Sequence, residues 1–331
     1  MVVSASATTA GLEGALRGVC AAAFGDGGVR IDALRRVSGG ASRQTWSFDV
    51  VGNDGARTAC ILRRDPPGAP RRAVGMTEEA SLLASARGAG VPVPEVLISG
   101  DGEGSLGTPF MVMRRVEGET IPRRILREPA LTQARQRLTG QCADALACIH
   151  AIPLGVLPKL SHSHPLVEYR SLLDAHKQAH PAFELGFRWL EENRPLPSRM
   201  TLVHGDFRNG NLIVGADGLR AVLDWELAHI GDPLEDLGWL CVKSWRFGSP
   251  HRVGGFGDVD QLLDAYAQAS GRRIDPQALS WWEVMGTLRW GIICILQAAN
   301  HLSGAVRSVE LAAIGRRVCE VENDLLLLLD G

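Results

Sequence analysis

The sequence runs to 331 residues, 45% of them hydrophobic and 22% charged, with a formal net charge of −2. Those values are ordinary for a globular chain and leave room for one large domain or two lobes around a substantial core. The near-zero charge removes any global argument for nucleic acid or an anionic membrane as partner.

The chain starts without a basic run, and Glu13 and Arg17 interrupt the first apolar stretch, so no signal peptide is expected. Residues 12–24 read as an opening helix closed by Gly25-Asp26-Gly27-Gly28. Three strand-like runs follow at 34–37, 45–51 and 58–64, with Asn53-Asp54-Gly55 as the hairpin turn between the second and third. The first two enclose Ser38, Gly39, Gly40, Ala41, Ser42, Arg43 and Gln44, a small, polar, glycine-bearing loop. It is either an ordinary hairpin loop or one whose backbone amides fold over phosphates. It holds no G-x-G-x-x-G and no Walker lysine, so neither a Rossmann site nor a P-loop is supported. Arg63 and Arg64 end the third strand at the Asp65-Pro66-Pro67-Gly68 break. The first 117 residues contain 13 arginines and no lysine, so a cation gripping a nucleotide there must be arginine.

Residues 77–87 have helical periodicity and carry Glu78 and Glu79. Two more strands, 95–99 and 109–116, complete a first lobe of five strands and one further helix, with a boundary near Gly118. Beyond it the pattern turns helical. Residues 131–152 repeat apolar positions at three- and four-residue steps, ending at His150, which is either catalytic or a packed helix-terminal histidine. A helical region then reaches about residue 193, broken near Pro181. After the stretch described next, Asp232 and Pro233 read as N-cap and first turn of a helix. Further helices are expected at 258–270, 276–302 and 306–329. Trp239, Trp245, Trp281, Trp282 and Trp290 lie in this part, as core or as an apolar pocket. The seven cysteines are scattered without a Cys-x-x-Cys pair, which suits a reducing cytosol better than a disulfide scaffold. The apolar runs 291–295 and 325–329 fall far short of the roughly 20 residues of a membrane span.

The chemistry concentrates in Thr201-Leu202-Val203-His204-Gly205-Asp206-Phe207-Arg208-Asn209-Gly210-Asn211, followed by a strand, the turn Ala216-Asp217-Gly218, a strand and Asp224-Trp225-Glu226. Strand, loop, strand, turn, strand puts Asp206, Asn211 and Asp224 at strand ends on one rim. An acid, an amide and a second acid form an oxygen set of the kind Mg²⁺ takes, usually with substrate phosphates among its ligands.

His204-Gly205-Asp206-x-x-x-x-Asn211 followed by Asp224-Trp225-Glu226 resembles the signature of the aminoglycoside phosphotransferase family, whose members are similar in fold to protein kinases. Leu62-Arg63-Arg64-x-Pro66-Pro67-Gly68 and Ile230-Gly231-Asp232-Pro233-Leu234-Glu235-Asp236-Leu237-Gly238-Trp239 add a likeness to the kinase-like domains associated with acyl-CoA dehydrogenases. The resemblance implies an α+β, two-lobed protein-kinase-like fold, with a nucleotide-binding lobe at 1–116 and a mainly helical catalytic lobe at 117–331. It implies a cytoplasmic kinase using ATP and Mg²⁺ on a small hydroxylated substrate, with no nucleic acid or membrane partner. By the same resemblance Asp206 is the catalytic base and Arg208 stabilises the transferred phosphate. Asn211 and Asp224 hold Mg²⁺, and Glu226 assists the metal shell or orients the loop. Ser38, Gly39, Gly40, Ala41 and Ser42 cover the phosphates, and Met113, Arg115 and Val116 form the edge that meets adenine. Asp236 braces the catalytic loop, and His204 packs beside it. Arg63, or its neighbour Arg64, stands where the family has a phosphate-binding lysine, paired with Glu79 or Glu78. That missing lysine motivates the rival reading of a catalytically silent nucleotide-binding module.

Overall fold

Glycine punctuates the first lobe. The computed structural model describes residues 5–37, 43–66, 68, 74–102, 104, 106–162, 164–196 and 198–330. Helix α1 (Ala5–Phe24) stops at Gly25, whose φ of 64° an L side chain rarely adopts. Strand β1 (Arg30–Arg36) starts four residues before the expected run, because it alternates poorly. Its pairing shifts between Asp32 and Arg35, where Ala33 takes a φ of 51°, and the bulge hides the period of two. Strands β2 (Gln44–Val51) and β3 (Arg57–Arg64) pair in full register from Gln44 opposite Arg64 to Val51 opposite Arg57. Helix α2 (Met76–Gly88), β4 (Val96–Gly100) and β5 (Phe110–Arg114) follow, and the antiparallel sheet has the order β1-β2-β3-β5-β4.

Alternation along β5 divides the packing. Phe110 and Val112 join Leu12, Leu16 and Cys20 of α1 in one cluster, whereas Met111 and Met113 face Leu82, Leu83 and Ala86 of α2. This second cluster continues into the helical part as far as Leu325, so shared apolar packing as well as the chain joins the two lobes.

The rest is helical apart from two ribbons. The short α3 (Pro122–Arg127), which no sequence period announced, precedes α4 (Thr132–Ala151), α5 (Pro165–His176) and α6 (Pro181–Glu192). Then come β6 (Thr201–Val203), β7 (Leu212–Gly215), β8 (Gly218–Val222) and β9 (His229–Gly231), with β6 paired to β9 and β7 to β8. Helix α7 spans Leu234–Cys241, and Asp232 Oδ1 accepts the Leu234 N–H at 2.9 Å as expected of a capping acid. Helices α8 (Val259–Ser270) and α9 (Pro276–Leu302) match their expected bounds closely. The expected final helix is instead two, α10 (Val309–Gly315) and α11 (Val318–Leu329). The chain turns at Gly315-Arg316-Arg317, where Gly315 lets the backbone approach Ala298 of α9. Among the described residues no helix is long and apolar enough to cross a membrane.

Candidate active site

The β6–β9 ribbon, with Val203 opposite His229, launches the loop that carries Asp206, and the loop closes where Asn211 enters β7. Leu223 N–H donates to the Asn211 carbonyl at 2.8 Å, which brings Asp224 beside Asn211. Gly205 has a φ of 81°, and a Cβ there would collide with the Leu227 carbonyl oxygen, so glycine alone fits.

Buried groups hold this loop from below. Asp236 accepts from His204 N–H at 2.8 Å and Gly205 N–H at 2.9 Å, one on each carboxylate oxygen. His150 Nε2 lies 3.1 Å from Asp236, and its Nδ1 lies 2.9 Å from the Tyr266 hydroxyl. Burial pushes the Asp236 carboxyl up, but the hydrogen bond and charge of His150 and the His204 peptide outweigh it, leaving the pKa below its ordinary value. Asp236 thus braces the loop through its backbone, and His150 is a partner in that brace. Burial pushes His204 down, so its ring is neutral. Its Nδ1 accepts the Asp206 N–H at 3.1 Å, leaving Nε2 to donate to the Leu223 carbonyl at 3.1 Å. Trp225 meets the ring edge-on at 4.8 Å, and His204 is a packed support.

Replacing Asp236 by Asn puts an amide nitrogen against a peptide N–H in a dry site. The expected cost is about 3 kcal/mol of folding stability, read by chemical denaturation. The sign with pH follows from the lowered pKa. Asp236 contributes fully above its unfolded value and loses that contribution as pH falls through the lower folded value. The stability gap between wild type and D236N should therefore narrow below about pH 4.

Three donors fix the Asp206 carboxylate. Arg208 Nε at 2.9 Å and Trp239 Nε1 at 2.8 Å reach Oδ1, and Asn211 Nδ2 reaches Oδ2 at 2.6 Å. Arg208, expected at the transferred phosphate, here pairs with Asp206 while its guanidinium lies 4.5 Å over the Trp245 ring. Trp239, Trp245 and Trp290 pack at tilted angles in a small buried cluster of their own, and Trp281 and Trp282 belong to the main core. Arg289, from the middle of α9, is buried. It donates to Glu235 at 2.9 Å and to the Gly205 carbonyl at 2.7 Å, with its guanidinium 4.4 Å over Trp239. Its sequence signal was a lone charge in the apolar run Leu288-Arg289-Trp290-Gly291-Ile292.

The first lobe brings its cations to the same cleft. Alternation along β3 points Arg63 inward, while Arg64 Nε donates to Gln44 at 2.8 Å. Arg63 Nη1 meets Glu79 Oε1 at 2.5 Å, and Nη2 meets Asp224 Oδ1 at 2.9 Å. Glu79 is wholly buried and Glu78 is not, which decides between the two acids. Arg43, buried beside them, also pairs with Glu79. Its place within the glycine-bearing loop was its only sequence signal.

Asp224 sits at a φ of 68°, a left-handed conformation that Asp tolerates better than most residues. Asn211 turns its amide nitrogen to Asp206, which leaves its oxygen as an acceptor, and Asp224 has a carboxylate oxygen beyond the one bound to Arg63. An amide oxygen and a carboxylate suit Mg²⁺ that completes its shell with phosphate and water. Of the expected adenine edge, Met113 is buried opposite Ile61 and Arg115 N–H donates to the Ala59 carbonyl at 2.9 Å; Val116 follows the strand end. Ser38, Gly39, Gly40, Ala41 and Ser42 lie outside the described residues. A cavity of about 920 Å³, lined by none of these site residues, opens among Arg123 of α3, Lys243, Ser244, Arg246, Arg317 and Asn323.

Solved structures share this fold. A candidate aminoglycoside phosphotransferase of Ralstonia eutropha JMP134 superposes with a TM-score of 0.68 at 21% identity, over 89% of this chain and 92% of that one. A thermostable mutant of aminoglycoside phosphotransferase APH(4)-Ia, solved with AMP-PNP and hygromycin B, gives 0.60 at 16% identity over 93% and 98%. In sequence, mouse acyl-CoA dehydrogenase family member 10 is 31% identical over 219 residues, which cover 60% of this chain but only 20% of that relative. The model of the phosphotransferase enzyme family matches residues 33–282, from β1 through the Asp206 loop into α9. Arg63 with Glu79, and Asp206 with Asn211 and Asp224, all fall inside that match, and the chain belongs to the phosphotransferase enzyme family.

Proposed function

We propose that the chain is a Mg·ATP-dependent kinase that transfers the γ-phosphoryl group to a hydroxyl of a small molecule. One observation carries the reading: Glu79, Arg63 and Asp224 form a continuous chain of ion pairs across the cleft, beside the bonded pair Asp206 and Asn211. Phosphoryl transfer through a loose transition state asks mainly for positioning and charge neutralisation. Asp206, with its carboxylate oriented by Trp239 and Asn211, accepts the hydrogen bond of the acceptor hydroxyl and takes its proton. Arg208 lies within reach of the same point and offsets charge on the group in flight, while Arg63 holds the nucleotide's phosphates. Asn211 and Asp224 would hold Mg²⁺, which when bound neutralises phosphate charge. The Met113–Arg115–Val116 edge receives adenine. The neighbour solved with AMP-PNP supports the choice of nucleotide.

The relation to an acyl-CoA dehydrogenase family member favours a hydroxylated acyl compound as the acceptor. We place the enzyme in the cytoplasm, in keeping with its unpaired cysteines. The test is incubation with Mg·ATP and pooled hydroxylated metabolites, reading ADP release and the mass gain of one phosphoryl group. Turnover on an acyl pool supports the reading; nucleotide binding with no turnover on any pool favours the silent module.

A further inference from the structure

A guanidinium and a carboxylate tend to close on each other as two parallel hydrogen bonds, fork to fork. Arg63 does not. It gives Glu79 only Nη1, at 2.5 Å, and sends Nη2 across the cleft to Asp224 at 2.9 Å. The reason lies on the other side of Glu79, where Arg43 Nη1 holds Oε2. Arg43 is itself tied down. Its Nη2 donates to the Val74 carbonyl at 3.0 Å, and its Nε lies 3.3 Å from Asp65 and 3.6 Å from Glu226. Glu79 thus carries two guanidinium groups, one on each carboxylate oxygen. A lysine at position 63 would need no such neighbour, because an ammonium is a point charge that cannot form the fork.

We propose, resting on the nucleotide-binding reading above, that Arg43 is a positioning residue that lets an arginine act as the phosphate-binding cation. By holding Glu79 Oε2 it competes with bidentate closure of Arg63 on Glu79, and so favours Arg63 Nη2 directed at Asp224 and at the phosphates of a bound nucleotide.

Calorimetric titration of Mg·ATP into the wild type, R43M, R63K and the double variant tests this. R43M should weaken binding about tenfold or more, as Arg63 folds back onto Glu79. R63K should cost affinity in the native background yet restore most of it in the R43M background, because lysine cannot make the closure that R43M permits. A mere structural role predicts additive losses instead. Unchanged affinity in R43M, or an R63K loss that adds to that of R43M, overturns the proposal. If R43M does not fold, R43K serves: it keeps a cation on Oε2, so it should bind within about threefold of wild type, and a tenfold loss overturns the proposal. Failure of the wild type to bind Mg·ATP at all would instead remove the nucleotide reading on which this rests.

Discussion

Asp206→Asn should lower turnover by about 10³-fold or more while leaving Mg·ATP affinity within about threefold of wild type. Asparagine keeps the size of aspartate and keeps an oxygen to accept from one neighbour, but it cannot take a proton from the acceptor hydroxyl. It also turns an NH₂ toward donors. The Asp206 carboxylate receives Arg208 and Trp239 on one oxygen and Asn211 on the other, so an amide in its place leaves at least one of these facing another donor. Loss of orientation therefore adds to loss of the base. Arg63, Glu79 and Asp224 do not contact Asp206 in these bonds, and Asn211 keeps its bond to the Asp206 backbone carbonyl at 3.0 Å, which is why nucleotide binding should survive. Steady-state kinetics with the acceptor, set beside calorimetric titration with Mg·ATP, separate the two quantities. Wild-type turnover in D206N would show that Asp206 is not the base.

The second large effect falls on binding. Asp224→Ala should weaken Mg²⁺-dependent ATP binding by about 100-fold or more, and chelation of the metal should then make little further difference. Two consequences combine. The substitution removes the carboxylate proposed to hold the metal, and it releases the Arg63 Nη2 bond at 2.9 Å that ties the first lobe to the second. Asp224 also occupies a left-handed conformation, with a φ of 68°, so alanine adds a backbone strain of about 1 kcal/mol. Asp224→Asn separates these effects, because asparagine tolerates the same backbone and has almost the same shape. It should fold like wild type and still lose most of the metal-dependent affinity. Equal affinity in the presence and absence of Mg²⁺ in the wild type, or unchanged affinity in D224A, would contradict the metal role.

In the charge chain through the cleft, the arginine at position 63 bridges two acids. Arg63 meets both the helix acid and the acid after β8, and its planar fork reaches two partners that a single ammonium would have to share. Below the loop a second, buried network does different work. Asp236 holds two peptide N–H groups, Arg289 holds the Gly205 carbonyl, and His204 spans from the Asp206 peptide to the Leu223 carbonyl. Peptide groups of His204, Gly205 and Asp206 are thereby hydrogen-bonded in the dry interior.

How far the site was legible in sequence depended on the range of the contact. His204-Gly205-Asp206 and Asn211 could be read because they act within one loop, where spacing is geometry. Residue Glu79 was separable from Glu78, and Arg63 from Arg64, only once the faces of α2 and β3 were known. Sequence gives the period of a strand or helix but not which side meets the cleft. Trp239 and Arg289 lie 33 and 84 residues from the loop atoms they bond, and each looks like ordinary core from its own helix. The break at Gly315 was missed for a related reason. Glycine tolerates a helix, and only the approach of α9 makes the turn necessary.

The sequence by itself determined the five-stranded sheet, the helical remainder and the family. These follow from local periodicity, turn residues and short motifs, all properties of neighbours along the chain. Only the tertiary structure decided that Arg43 shares Glu79 with Arg63, that Arg208 rests on Asp206 and Trp245, and that Trp239 and Arg289 underpin the loop. Charge partners in a folded interior are chosen by desolvation and shape among residues brought together from distant segments. No spacing along the chain records that choice.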